Sequence, residues 1–293
     1  MRRIRSKRGV NGILHTMKSK AKAKAGSAPA ARGDIKPDRQ FVTALARGLE
    51  ILRCFNANRT ELGTMEIASI TGLPQPTVWR LCHTLLCSGY LAPSSSNGKL
   101  RIGVGVLGLG YAAIAMLDIG EFALHEMHRL ANDFHVACSL AAPERTDMLI
   151  VKRAHDANSM LVVNLHVGSR LPMATSSAGW AFLAKAPEPV RAALLRELEK
   201  RYRREWPEVR KRIDAAIEGC HRRGYALNSR IYHRDINAIA VPIASDDGSQ
   251  VYALNCGGPA AAITVKKLEK EIAPRLIELA AIMRAGLFAG HKR

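Results

Sequence analysis

The stretch TMEIASITGLPQPTVWRLCHTLLCS, residues 64–88, decides the fold of the N-terminal part of this 293-residue chain. Thr64 suits a helix N-cap, and Gly72 stops the helical pattern that follows it. Pro76 suits the first turn of the next helix, which should end at Ser88. Two helices joined by a short turn containing glycine form a helix-turn-helix, the motif that places its second helix in DNA.

The flanking sequence extends this motif on both sides. Upstream, apolar residues from Leu45 to Phe55 recur at spacings of three and four, which predicts a preceding helix. Downstream, Tyr90–Ala92 and Lys99–Ile102 are short extended runs separated by a polar turn that contains Asn97-Gly98, a strong hairpin signal. A hairpin directly after a helix-turn-helix is a wing.

The second helix of the motif is predicted to read DNA. If Val78, Leu81 and Leu85 face inward, polar and aromatic side chains suited to the major groove point outward. Those predicted to meet bases are Gln75, Thr77, Trp79, Arg80, His83 and Thr84, and those predicted to meet the phosphate backbone are Arg47, Lys99 and Arg101.

The net positive charge supports a polyanionic partner, but the charged residues are unevenly distributed along the chain. The formal net charge is +19. Residues 1–40 alone hold twelve basic and two acidic side chains, whereas residues 41–102 hold six basic and three acidic side chains. The first 40 residues lack the apolar content to fold and should be a disordered tail. A mitochondrial transit peptide is the alternative, and Met17 offers an internal start. Specific recognition therefore rests on the helix-turn-helix, and the charge mainly adds non-specific affinity.

Composition narrows the class of protein further. With 47% apolar residues the chain can bury a core, and it contains no uninterrupted apolar run long enough for a membrane span and no signal-peptide pattern. A cytoplasmic protein is expected, without membrane association. The six cysteines form no C-x-x-C pair and are expected to be reduced and mostly buried.

The second half alternates strands and helices, which predicts α+β or mixed α/β architecture. A long helix is expected over 104–134. The predicted strands are 136–142, 148–153, 160–167, 238–243 and 251–255, and the further helices are 177–186, 189–203, 208–223 and 264–287.

Three patterns resemble sites of chemistry, and none supports an enzyme. Gly103–Gly108 reads G-x-G-x-x-G, but the strand before it is half charged, unlike the apolar first strand of a dinucleotide fold. His125 and His128 lack a third zinc ligand. Ser176–Gly179 lacks the G-x-S-x-G pattern and an identifiable base. We therefore predict no catalytic residue, metal or cofactor.

Residues 41–290 resemble the IclR family of bacterial transcription regulators. The resemblance is carried by the order and spacing of several segments: 46–52 (ARGLEIL), 73–80, 89–91 (GYL), 167–184 (VGSRLPMATSSAGWAFLA), 223–226 (RGYA) and 239–243 (IAVPI). It implies dimers or tetramers on DNA, and an α+β chain. Its parts would be a basic tail (1–40), a winged helix-turn-helix (41–102), a linker helix (103–123) and a GAF-like effector-binding and oligomerisation domain (124–293).

The resemblance also implies an effector cavity. Carried over position by position, it implicates Ser177, Ala178, Asn228, Ile236, Ala238, Asn255 and Gly257, with Met160 and Leu161 as apolar lining. The start of the helix predicted over 177–186 suits a carboxylate, since its backbone N–H groups and dipole attract anions. Many relatives have an acidic run where this chain has Asn228–Ile231, and nearby Arg230, His233 and Arg234 also favour an acidic effector.

The sequence thus predicts a sequence-specific regulator that binds double-stranded DNA at an inverted repeat as a homodimer or homotetramer. A small organic acid would control it, and the sequence is similar to the branch of the family that responds to aromatic acids. Two alternatives remain open: an enzyme on a GAF-like scaffold, and a protein that binds nucleic acid non-specifically through charge.

Overall fold

The computed structural model of the protein describes residues 40–56, 59–95, 98–115, 117, 119–156 and 165–288. The chain divides into two compact units, between Ala115 and Met116. The predicted tail up to residue 39, Asn97 of the wing, most of the strand predicted over 160–167 and the predicted effector residues Met160 and Leu161 lie outside the described residues. The finer division into tail, DNA-binding domain, linker and effector domain stays a prediction.

The first unit contains the expected winged helix-turn-helix. Its strands form a three-stranded antiparallel sheet in the order β1-β3-β2, in which the short β1 was not predicted. The elements are α1 (Thr43–Arg53), β1 (Glu61–Gly63), α2 (Thr64–Thr71), α3 (Gln75–Cys87), β2 (Leu91–Pro93) and β3 (Lys99–Ile102).

One small core fixes these elements relative to one another. Its buried members include Ile51, Leu62, Ile67, Val78, Leu91 and Leu100. The predicted N-cap at Thr64 is wrong by one residue: Gly63 is the N-cap, and its N–H donates to Glu66 Oε2 at 2.7 Å. Thr64 is instead the first helical residue and is buried.

The glycines that follow the wing have a packing role. The Gly103 N–H donates to the Tyr90 carbonyl at 2.9 Å, and a Cβ on Gly103 would lie 2.2 Å from the Gly89 carbonyl oxygen. The chain therefore continues from the end of β3 through a close backbone contact that has room only for glycine at position 103. The next helix, α4 (Gly105–Ala115), starts two residues later. This contact explains the first glycine of the G-x-G-x-x-G pattern without a nucleotide.

The long helix predicted over residues 104–134 is two helices. Between α4 and α5 (Glu121–Phe134) the chain passes through Gly120, which has φ of +75°. Because residues with a Cβ rarely adopt positive φ, a glycine at this position permits the break. Apolar periodicity alone gave no sign of it.

The second unit is built on a six-stranded antiparallel sheet with the strand order β6-β5-β4-β9-β8-β7. The prediction located four of these strands to within a few residues and missed the short β6 and β7. The strands are β4 (Ala137–Glu144), β5 (Asp147–His155), β6 (Arg170–Pro172), β7 (Ala226–Ser229), β8 (Ile236–Ala244) and β9 (Val251–Pro259).

Helices cover both faces of this sheet. One face packs against α6 (Ser177–Lys185), with α7 (Glu188–Tyr202) and α8 (Trp206–Arg223) behind it. The other face packs against α5 and the last helix, α9, which comprises Val265–Lys267, a π-helical turn at Leu268–Ile272 and Ala273–Phe288. None of the described helices has the length and apolar character needed to cross a membrane.

Candidate functional site

Helix α3 has one exposed stripe of side chains, on the face opposite its buried side. Val78 and Cys82 are buried in the core of the first unit, with relative exposures of 0% and 2%. One turn apart on the opposite side lie the exposed residues Pro76, Arg80, Thr84 and Cys87. Arg80 makes no ion pair within the part of the chain that the structure describes, so its guanidinium is available to a ligand. The prediction for Arg80 and Thr84 agrees with this exposure, and it did not include Pro76 or Cys87.

The other residues of α3 that are predicted to contact bases are half-buried. Gln75 and Thr77 lie near its start, and the Trp79 and His83 rings contact each other with centroids 5.7 Å apart. Cys87 Sγ lies 3.8 Å from His83 Nδ1. The Thr84 hydroxyl donates to the Arg80 carbonyl at 3.1 Å, which leaves its methyl group free to contact a base. These contacts hold the aromatic side chains in place along one edge of the stripe.

The residues predicted to meet phosphates are more constrained. Lys99 Nζ lies 3.9 Å from Glu66 Oε2, and Arg101 Nε donates to the Pro93 carbonyl at 3.3 Å across the wing. Arg47 is half-buried, and its Nε is a buried donor with no hydrogen-bond partner in the described structure. A buried unsatisfied donor is costly, so Arg47 is the one of the three that gains most from an added acceptor.

The second unit contains a narrow cavity of about 40 Å³ at the start of α6. Strands β4, β5, β8 and β9 contribute to its wall, and most of the surface is apolar. The lining residues are Ala137, Arg153, Leu165, Leu171, Ser176, Ser177, Tyr232, Ile236, Ala238, Asn255 and Gly257. Five of the predicted effector residues are among them: Ser177, Ile236, Ala238, Asn255 and Gly257.

Arg153 supplies the cation of this cavity, and the sequence analysis did not identify it. Its Nη1 donates to Ser139 Oγ at 3.2 Å, and Ser139 is fully buried. Burial lowers the pKa of the Arg153 guanidinium below its usual range, while the nearby Cys138 acts weakly in the opposite direction. Arginine remains protonated at neutral pH in proteins, so the cavity wall carries a poorly hydrated positive charge. The sequence shows only a basic residue within a predicted strand, and the structure is needed to place its side chain at the cavity.

The start of α6 adds neutral donors to the same wall. Ser176 is the N-cap, and its Oγ accepts a hydrogen bond from the Gly179 N–H at 3.1 Å. Ser177 is the first helical residue, and its Oγ lies 3.4 Å from Asn255 Nδ2. The first N–H groups of a helix lack partners within the helix, and its dipole favours an anion there.

Tyr232 completes the polar lining, and Asn228 positions it. Burial raises the pKa of the Tyr232 phenol, so the hydroxyl stays protonated and can donate. Asn228 Oδ1 accepts from the backbone N–H groups of Ile231 and Tyr232 at 3.1 Å each, and its Nδ2 donates to the Thr175 carbonyl at 2.7 Å. Asn228 thus holds the segment that carries Tyr232 in place beside the cavity. Ala178, the second residue of α6, is completely buried in the core against which that helix packs.

The two histidines considered as metal ligands lie exposed on α5. His125 and His128 are separated by one turn, and the described residues hold no group of three or more His, Cys, Asp or Glu side chains arranged to bind a metal ion.

Two family models match the chain. The model described as "Bacterial transcriptional regulator IclR C-terminal" matches residues 111–283, and the model of the IclR helix-turn-helix domain matches residues 44–94. The chain is 29% identical to the HTH-type transcriptional regulator TsaQ1/TsaQ2 of Comamonas testosteroni, covering 85% of this chain and 90% of that protein. It is 29% identical to the Pca regulon regulatory protein of Pseudomonas putida, covering 82% of each.

Solved structures agree with these matches. An IclR family transcriptional regulator from Brucella abortus is 40% identical, with a TM-score of 0.80 over 87% of this chain and 96% of that one. An IclR homolog from Microbacterium hydrocarbonoxydans, complexed with 4-hydroxybenzoate, is 25% identical, with a TM-score of 0.65 over 84% of this chain and 100% of that one. With a helix-turn-helix unit and the matching C-terminal unit in one chain, this protein belongs to the IclR family of bacterial transcriptional regulators.

Proposed function

We propose that this regulator binds a specific DNA sequence through α3 and that a small organic carboxylate in the cavity at the start of α6 controls that binding. The observation that carries the proposal is Arg153, a poorly hydrated cation in an otherwise mostly apolar wall. We further propose that the protein acts in the cytoplasm and has no enzymatic role, in keeping with relatives that are named as transcriptional regulators.

The chemistry of the cavity favours a carboxylate over other anions. A guanidinium presents two parallel N–H donors that match the two oxygens of a carboxylate. The N–H groups at the start of α6 and the Ser177 hydroxyl lie in the same wall and can share the negative charge. Apolar side chains such as Leu171 and Ile236 suit the hydrocarbon part of the ligand.

An aromatic acid is our leading candidate for the effector. The Microbacterium homolog is complexed with 4-hydroxybenzoate, and the Tyr232 hydroxyl of this chain offers a second polar contact for a ligand that has a hydroxyl group. The cavity is narrow, at about 40 Å³. We propose that an aromatic ligand widens it, which would link ligand binding to a change in protein conformation.

Replacement of Arg153 by methionine tests this proposal. Methionine fills similar space without a charge, and loss of a charge-assisted hydrogen bond of about 1.5–3 kcal/mol predicts binding weakened roughly tenfold to hundredfold. Titration calorimetry with 4-hydroxybenzoate and with short-chain carboxylates measures the effect. Arg153→Lys keeps the charge and should fall between methionine and wild type. Arg234→Met removes an exposed charge from the loop that holds Tyr232 and should have little effect. Equal losses for Arg153→Met and Arg234→Met would show that the cavity does not hold the carboxylate.

We also propose that the protein is a homodimer, or a pair of dimers, that binds an inverted repeat. The first unit leaves large apolar side chains exposed to between 46% and 79%. They lie at the start of α1 and along α4: Phe41, Val42, Leu45, Leu49, Val104, Leu107, Leu109 and Tyr111. Monomeric proteins rarely expose so many together, and a second copy of the chain would bury them.

Lysine in place of both Leu107 and Tyr111 should shift the protein toward smaller species. Both side chains are more than 70% exposed, so the substitutions leave the core of the unit intact. Sedimentation velocity at several protein concentrations measures the change. Val190→Lys alters an exposed apolar residue on α7 and serves as the control, with no expected change in assembly. If the double variant keeps the assembly of the wild type, α4 does not form the interface.

A further inference from the structure

Four cations on the second unit form a surface that the ligand cavity does not use. Helix α7 ends at Tyr202, a 3-10 turn covers Arg203–Glu205, and α8 starts at Trp206. We call the exposed side chains Arg203, Arg204, Lys211 and Arg212 the basic corner. None of the four lies within 4.0 Å of a carboxylate oxygen in the part of the chain that the structure describes.

Neighbouring cations differ from these four because each of them already forms an ion pair with a carboxylate. Arg201 Nη1 lies 3.2 Å from Asp147 Oδ1, and Arg210 Nε donates to both carboxylate oxygens of Asp214 at 2.8 Å. Lys200 Nζ lies 2.9 Å from Glu197 Oε1. The structure therefore separates internal ion pairs from four cations that are available to an external anion. The acids of residues 200–212 are Glu205 and Glu208, both exposed.

The basic corner lies on a firmly packed support. Val209 and Ile213, on the opposite side of α8, are 6% and 0% exposed, and Trp206 packs against the same core. Arg203 and Arg204 lie in the 3-10 turn, and Lys211 and Arg212 lie on the helix that follows it. The corner thus places four unpaired positive charges within ten residues of the chain, which suits a repeating polyanion.

We propose that the basic corner binds the phosphate backbone of DNA, in addition to the contacts made by α3. Protein partners usually bind through apolar and aromatic anchors, and no large apolar side chain is exposed between Val190 and Ile231 among the described residues. Tyr202 and Trp206 are half-buried in the core. Charge without apolar anchors favours phosphates over an acidic protein surface. The inference rests on the DNA binding proposed for α3.

The test uses the full-length chain with Arg203, Arg204, Lys211 and Arg212 all changed to glutamine. The control changes four other exposed cations of the second unit to glutamine: Lys185, Arg222, Lys266 and Lys270. Both variants lose four charges per chain. Fluorescence anisotropy measures affinity for a 60-bp duplex of unrelated sequence, and for an operator obtained by selection from random DNA, over a range of KCl concentrations.

The corner variant should bind both duplexes more weakly, and its slope of log affinity against log salt should be shallower by about 2–4 per chain. The control variant should keep a slope close to that of the wild type, and the corner variant should still prefer the selected operator. Loss of that preference in Arg80→Ala together with an unchanged corner effect would separate the two DNA contacts. Equal slopes for corner and control variants would overturn the proposal. So would affinities of the corner variant for both duplexes that equal those of the wild type at every KCl concentration.

Discussion

Replacement of Arg80 by alanine should remove most of the preference of this protein for its operator over unrelated DNA. Arg80 is exposed on α3, on the face opposite Val78 and Cys82, and no carboxylate of the described residues pairs with it. A bidentate contact between arginine and guanine discriminates by about 1–3 kcal/mol. In a dimer on an inverted repeat the loss occurs twice, so discrimination should fall by about 2–6 kcal/mol.

The measurement compares the affinity for the selected operator with the affinity for a duplex of the same length and scrambled sequence. Arg53→Ala is the matched control, because Arg53 is a charged residue of the same unit that pairs with Glu50 at 3.2 Å at the end of α1. Its loss should lower affinity for both duplexes slightly and equally. If Arg80→Ala behaves in the same way as Arg53→Ala, Arg80 contacts phosphates and another residue of α3 reads the bases.

Alanine in place of Gly179 should destabilise the second unit severely. A Cβ at this position would lie 2.2 Å from the Met173 carbonyl oxygen and 2.4 Å from its Cα. These are backbone atoms that cannot rotate away, and α6 is held against this segment by the hydrogen bond from Trp180 Nε1 to the Ala174 carbonyl at 2.8 Å. Overpacking typically costs about 1–3 kcal/mol, and a clash with fixed backbone atoms should reach the upper end of that range.

Urea denaturation measures the loss of stability, and calorimetry should show lost ligand binding, since α6 begins at the cavity. Gly219→Ala is the control within the same unit. Its Cβ would meet only the flexible end of the Arg223 side chain at 2.8 Å, and alanine favours a helix over glycine by about 1 kcal/mol. That variant should differ little from wild type. A Gly179→Ala protein of normal stability would mean that the segment before α6 can move away.

Local patterns in the sequence were enough to locate α3, the helix proposed to read DNA. The turn at Gly72 and the apolar stripe that includes Val78 act over a few residues, so helical geometry places Arg80 on the outer face without knowledge of the rest of the fold. The same reasoning missed the break at Gly120. A glycine inside an apolar stretch is compatible with a continuous helix, and only its φ of +75° shows that α5 starts anew after it.

The cavity at the start of α6 depends on contacts between distant parts of the chain. Arg153 on β5, Ser177 on α6 and Tyr232 after β7 meet only because the sheet aligns β4, β5, β8 and β9. The resemblance to the family supplied Ser177 and Asn255, whereas Arg153 could not be found from position alone. The role of Asn228 could not be found from its position either. Its place in the sequence suggested contact with a ligand, whereas its hydrogen bonds show that the side chain holds the backbone at Tyr232.

The sheet of the second unit separates the cavity on one face from the core on the other face. Ala137 and Asn255 face the cavity, while Cys138 and Cys256, directly opposite each other on β4 and β9, face the core formed with α5 and α9. Protein interiors are close-packed and barely compressible. A molecule that forces β4 and β9 to bow on the cavity side must therefore displace the helices on the far side. If a ligand binds in the cavity as proposed, hydrogen exchange in α5 and α9, which lie on the opposite face of the sheet, should therefore report its binding.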